Sequence, residues 1–94
     1  LEDAQIAKLD MICKRLRLAP GERLFDVGCG WGGLICHAVQ NYGVEAYGVT
    51  LSQEQYDFVQ AKIKRLGLED KITIELKDYR TVNEAESFDK ISQI

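Results

Sequence analysis

Apolar positions recur along the chain with two periods, and each change of period marks a new element. Over residues 3–17 the apolar groups fall at Ile6, Leu9, Cys13 and Leu16, while Lys8, Lys14, Arg15 and Arg17 take the other faces. That is helical spacing. Ala19-Pro20-Gly21 ends it, because proline cannot continue a helix and glycine turns freely. Arg23 to Val27 reads as a short strand and Gly28 to Gly33 as a glycine-rich turn. Helical spacing returns over residues 32–42 through Leu34, Ile35, Ala38, Val39 and Tyr42, and Asn41 to Gly43 supplies a stop. Val44 to Val49 predicts a second strand. Ser52, three residues before Gln55, gives a capping-box pattern. The helix that follows carries Tyr56, Val59, Ile63 and Leu66 on one stripe, with Gly67 as its C-terminal cap. From Lys71 to Lys77 the period becomes two, with Ile72, Ile74 and Leu76 on one face. Asp78 to Arg80 is a loop, Val82 to Glu86 a short helical turn, and a last strand starts near Phe88.

Strands alternating with helices at these lengths predict an α/β fold, Rossmann-like, with a parallel sheet, right-handed crossovers and helices on the sheet's faces. Ligands in such sheets bind outside the C-terminal ends of the strands, which brings together residues 26–33, 50–55 and 78–80. The 94 residues make a single domain over 1–94. A chain this short buries roughly 60–65% of its unfolded surface. It starts on Leu1, and Phe88 to Ile94 begins like a strand and then stops. A doubly wound domain needs more strands than this, so the sheet is expected to be incomplete and the chain to be the N-terminal portion of a longer domain.

Composition narrows the partners. The net charge of -3 argues against nucleic acid. Lys62, Lys64, Arg65 and Lys71 form one basic cluster, which reads as a solvated helix face, the alternative being contact with phospholipid head groups. No apolar stretch reaches the ~18–20 residues of a membrane span. Cys13, Cys29 and Cys36 are odd in number and irregular in spacing, which fits reduced thiols in a cytoplasmic protein. One histidine and no Cys/His cluster argue against a metal. His37 falls within a helix and reads as structural or exposed.

The candidate chemistry lies in Phe25-Asp26-Val27-Gly28-Cys29-Gly30-Trp31-Gly32-Gly33, a glycine loop between a strand and a helix. Glycine permits positive φ and a close approach of backbone to ligand, and the N–H groups of a helix start bind anions. Gly28, Gly30 and Gly33 satisfy the dinucleotide fingerprint, but that fingerprint also requires an acid at the end of the second strand. Here the segment is Gly48-Val49-Thr50-Leu51, without one. Asp26, two residues before the first glycine, would repel a pyrophosphate. The same carboxylate suits a ligand with an ammonium and a sulfonium, and S-adenosylmethionine carries both. The plain alternative has Asp26 pinning the loop through backbone N–H groups. Trp31 reads as packing the loop, and Cys29 as a small spacer, since no histidine is arranged beside it.

Asp26 to Gly33, followed by Gly48-Val-Thr-Leu-Ser-Gln-Glu-Gln55 and by Asp78-Tyr79-Arg80, resembles the cyclopropane-fatty-acyl-phospholipid synthase group. That group includes the mycolic acid cyclopropane synthases and belongs to the class I methyltransferases. The likeness runs from about Pro20 to Lys90. It implies that Asp26, Gly28 and Gly30 hold the methionine part of the cofactor, with Gly32 giving backbone room. It implies that Thr50, Leu51 and Gln55 meet the ribose and adenine, and that Tyr79 and Asp78 lie against the adenine. A hydroxyl and an amide can bond a ribose diol without an anion. Gln55 could instead only close the capping box, and Tyr79 could be a surface aromatic.

The resemblance further implies transfer of the cofactor's methyl group to the double bond of an unsaturated phospholipid acyl chain. The resulting cation loses a proton to a base, often bicarbonate, and closes to a cyclopropane. The motifs of the catalytic residues around that base are absent from this sequence, so none is assigned. Peripheral contact with the inner membrane face and self-association through an exposed sheet edge are expected partners of such a chain. Other readings are a methyltransferase with another small-molecule acceptor, a nicotinamide dinucleotide domain, and a non-catalytic assembly module.

Overall fold

The first helix, α1 (Asp3–Arg15), stops short of the expected residue 17. Arg17 turns into the left-handed region at φ 56°. The Arg17 N–H then donates to the Lys14 carbonyl at 3.0 Å and the Leu18 N–H to the Cys13 carbonyl at 3.3 Å. The same pair of bonds closes helix α3 (Gln53–Leu66), where Gly67 occupies the left-handed position at φ 70°. A non-glycine residue there carries a steric cost of roughly 1 kcal/mol. Arg17→Gly is therefore expected to raise stability by about 0.5–1 kcal/mol in a urea titration.

The computed structural model describes residues 3–82 and 88–93. Strands β1 (Arg23–Val27), β2 (Glu45–Thr50), β3 (Ile72–Leu76) and β4 (Lys90–Gln93) form one parallel sheet in the order β3-β2-β1-β4. Helix α2 (Gly33–Tyr42) links β1 to β2, and α3 links β2 to β3. Both pack on β2 and β3, and α1 packs on α2. Asp10 of α1 accepts from the Tyr42 hydroxyl at 2.8 Å and lies 2.9 Å from His37 Nε2, so His37 serves the joint between α1 and α2.

Both faces of β1 are covered, which sets the burial pattern. Leu24 faces the helices among Ile35, Ala46, Val59, Ile63, Ile72 and Ile74, all buried. Burying a side chain such as Leu24 or Ile63 contributes roughly 1.5–3 kcal/mol. Phe25 faces the other way and is buried by rings, with Tyr47 at 5.5 Å and Phe88 at 5.2 Å between centroids. The Arg23 guanidinium sits 4.7 Å over Phe88. Tyr47 donates to Glu75, which pairs with Lys77 at 2.9 Å.

Other boundaries also differ from the sequence reading. β2 is shifted by one residue and ends on Thr50. β4 begins at Lys90, because Phe88 is spent on the aromatic cluster and Asp89 clamps Arg23. The Arg23 N–H donates to Asp89 Oδ2 at 2.8 Å, and the Asp89 N–H donates back to the Arg23 carbonyl at 2.9 Å. Tyr79–Thr81 is a single 3-10 turn rather than an open loop. Of the expected turn from Val82 to Glu86, Val82 is extended and the rest lies outside the described residues. Leu76, the last apolar position of the β3 stripe, is exposed at the strand end.

Candidate functional site

The glycine loop is shaped by left-handed backbone at Gly28, Gly30 and Gly32, with φ of 70°, 58° and 81°. The loop is tied to β2 by the Cys29 N–H, which donates to the Val49 carbonyl at 3.0 Å. The Gly32 N–H donates to the Cys29 carbonyl at 3.0 Å, which closes the turn into α2. Gly32, at the N-cap of α2, has no side chain to cap the helix, so among the described residues its first N–H groups have no side-chain cap.

At the end of β2 the expected capping box forms by half. Ser52 Oγ accepts from the Gln55 N–H at 3.2 Å. The return bond is not made by Gln55. Thr50 Oγ1 takes the Ser52 N–H at 3.1 Å and donates its own proton to Gln55 Oε1 at 3.0 Å. The Thr50 hydroxyl is thus engaged inside the loop, and it orients the amide of Gln55. No described residue accepts from Gln55 Nε2, which leaves that end as a donor for a ligand.

Two cavities flank the glycine loop and share Gly28. The first, about 390 Å³, is lined by Gly28, Gly30, Thr50, Leu51, Gln55 and Tyr79, with Ser52 and Lys77. The second, about 820 Å³, lies between α1 and the sheet and is lined by Met11, Ile12, Leu16, Asp26, Gly28 and Ser92 among others. Seven of the nine residues singled out in the sequence therefore line one cavity or the other.

The other two do not. Gly32 is buried under Val59, whose Cγ1 would lie 3.1 Å from an added Cβ, so it serves the loop's packing. Asp78 turns to its own neighbour, where Oδ2 accepts from the Arg80 guanidinium at 2.6 Å and Oδ1 from the Arg80 N–H at 2.9 Å. Those bonds hold its carboxyl down at about 2. Trp31 lines neither cavity and stands edge-on to Phe58 at 5.1 Å.

Asp26 is the electrostatic centre. It is 3% exposed, and burial alone lifts its carboxyl to about 7. Among the described residues no group hydrogen-bonds it, so it does not pin the loop. Its neighbour across the sheet is Ser92 of β4, also buried. Ser92, Lys77 and the α1 side chains escaped the sequence reading, because their place at the site depends on strand order and helix docking.

Comparison with known proteins bears on this arrangement. The family model described as mycolic acid cyclopropane synthetase matches residues 1–94. The chain belongs to that family. A cyclopropane-fatty-acyl-phospholipid synthase from Escherichia coli is 48% identical over 94 residues, all of this chain and 23% of that protein. The cyclopropane synthase MmaA2 from Mycobacterium tuberculosis superposes with a TM-score of 0.90 at 37% identity, over 100% of this chain and 32% of that one. A mycolic acid cyclopropane synthase, CmaA1, complexed with SAH and CTAB, gives a TM-score of 0.89 at 37% identity over 98% of this chain and 32% of that one. The chain spans about a quarter of the length of the curated relatives it matches. Among its described residues, no helix is long and apolar enough to cross a membrane.

Proposed function

We propose that this chain forms the S-adenosylmethionine-binding portion of a methyltransferase that acts on the double bond of an unsaturated phospholipid acyl chain. The observation that carries the reading is Asp26, a buried carboxyl with no hydrogen bond from the described residues, opening on a cavity beside the glycine loop. Such a group is costly unless a ligand brings a cation or strong donors to it. The two cavities, both lined by Gly28, suit an elongated ligand with chemically distinct ends.

In this reading the ammonium end of the ligand lies toward Asp26, and its approach returns that carboxyl to the ionised form. The nucleoside end takes the first cavity, where the Gln55 amide donates to ribose oxygen and Leu51 and Tyr79 give apolar surface to the adenine. Thr50 acts by holding Gln55. Gly32 and Asp78 shape their loops. S-adenosylmethionine, when bound, supplies an electrophilic methyl group that an alkene can attack. The share of these residues is to bind and orient. The base that removes the proton and the acyl-chain pocket belong to the remaining length of such an enzyme. An acceptor embedded in a bilayer implies peripheral membrane contact, and the outer edge of β4, which pairs with no strand among the described residues, could take a further strand or another copy.

Calorimetric titration with S-adenosylhomocysteine and with NAD tests the reading. Binding of the first and not the second is expected. Binding of NAD alone would overturn it.

A further inference from the structure

Gly48 is the one glycine of β2, and its backbone does not explain its presence. Its φ lies outside the left-handed region, so any residue could adopt it. What excludes a side chain is its neighbour. A Cβ at Gly48 would stand 2.9 Å from Cys29 Cβ, 3.0 Å from Ile74 Cδ1 and 3.4 Å from Cys29 Sγ. Cys29 in turn is 6% exposed, lies between Gly28 and Gly30, and donates its N–H to the Val49 carbonyl at 3.0 Å. Its side chain and its peptide thus reach adjacent residues of β2, a two-point attachment of the glycine loop to the sheet. Both flanking glycines line the first cavity, and Gly28 lines the second as well.

We propose that Cys29 is a positioning residue, a peg seated in the notch at Gly48 that sets the height of the glycine loop over β2 and so the shape of the cofactor site. The proposal rests on the reading of that site given above. Burial pushes the Cys29 thiol up to about 11, in keeping with a packing role rather than a nucleophilic one. A side chain at Gly48 would lift the peg, and removing the peg would make room for that side chain. Size at the two positions is therefore coupled.

The test is a double-mutant cycle read by calorimetry with S-adenosylhomocysteine, alongside thermal melts. Gly48→Ala is expected to weaken binding at least about tenfold in the Cys29 background, and by less than about threefold in a Cys29→Gly background. Ile74→Ala, a core truncation, should lower the melting temperature yet leave affinity within about twofold. Equal losses in both backgrounds, or losses that track melting temperature through Ile74→Ala, would overturn the proposal. Should Gly48→Ala fail to fold, Cys29→Val and Cys29→Ala replace it. The wider valine should weaken binding and the alanine should not, and equal affinities would count against the peg.

Wild-type protein that bound no S-adenosylhomocysteine would overturn the site reading instead. The peg would then be read by alkylation with iodoacetamide, mapped by mass spectrometry. Faster labelling of Cys29 alone in Gly48→Ala supports it, and equal acceleration at Cys13 and Cys36 rejects it.

Discussion

Asp26→Asn should make the unliganded protein more stable at neutral pH while weakening its hold on S-adenosylhomocysteine about a hundredfold, the loss of a buried charge-assisted contact. The carboxyl is raised from 3.8 to about 7 by desolvation, so the folded state holds a proton that the unfolded state has released. Stability then falls as pH rises from about 4 to about 7 and levels off above that, the sign required when the native state binds more protons. A shift of this size corresponds to a few kcal/mol at most, of order 4. The amide cannot ionise, so its pH profile should be flat over that window. Ligand affinity of the wild type should rise with pH over the same range, because the ammonium of the ligand needs the carboxylate. Denaturant melts at pH 5 and 8 with calorimetry at both would decide. A variant less stable than wild type at pH 8, with its pH slope unchanged, would show that Asp26 is not the strained group described.

The second large effect separates two adjacent glycines. Gly32→Ala should lose roughly 2–3 kcal/mol, since φ of 81° is costly for any side chain and Val59 must yield to the new methyl. Gly33→Ala should be neutral or stabilising by about 0.5 kcal/mol, because nothing lies within 4 Å of its added Cβ and its φ is ordinary for a helix start. Urea midpoints of the two variants test this. A similar loss at both positions would mean that general loop flexibility, and not the left-handed turn over Val59, accounts for the glycines.

These contrasts show what a linear sequence can carry. The order of strands and helices was legible because apolar period is a local property, and Gly28 to Gly33 announced a strand-to-helix glycine turn by composition. Asp26, Gln55 and Tyr79 were found through chemistry and resemblance, and they line the two cavities. The misses are lateral. Nothing beside Arg17 in sequence says that it takes a glycine's conformation. The spacing of Ser52 and Gln55 suggests a closed capping box, yet Thr50 intercepts the return bond. Asp78 looked available until Arg80 folded onto it. Gly48 was read as part of a strand and of the motif that runs on to Gln55, with no packing role, since that role depends on Cys29, which reaches it from another strand's loop.

The clamp between Asp89 and Arg23 also constrains how the molecule is made. β1 precedes the other three strands of this sheet and pairs with β2 on one side and β4 on the other. Its β2 partner follows within one helix, but Asp89, the clamp residue just before β4, lies 66 positions beyond Arg23. Lys90 adds to the closure by donating to the Arg17 carbonyl at 2.9 Å and pairing with Glu22 at 3.1 Å. Contacts this distant along the chain form late. A nascent chain therefore holds β1 with one edge open while almost all the rest of these residues leave the ribosome, and that interval is when a chaperone would have an unpaired strand to shield.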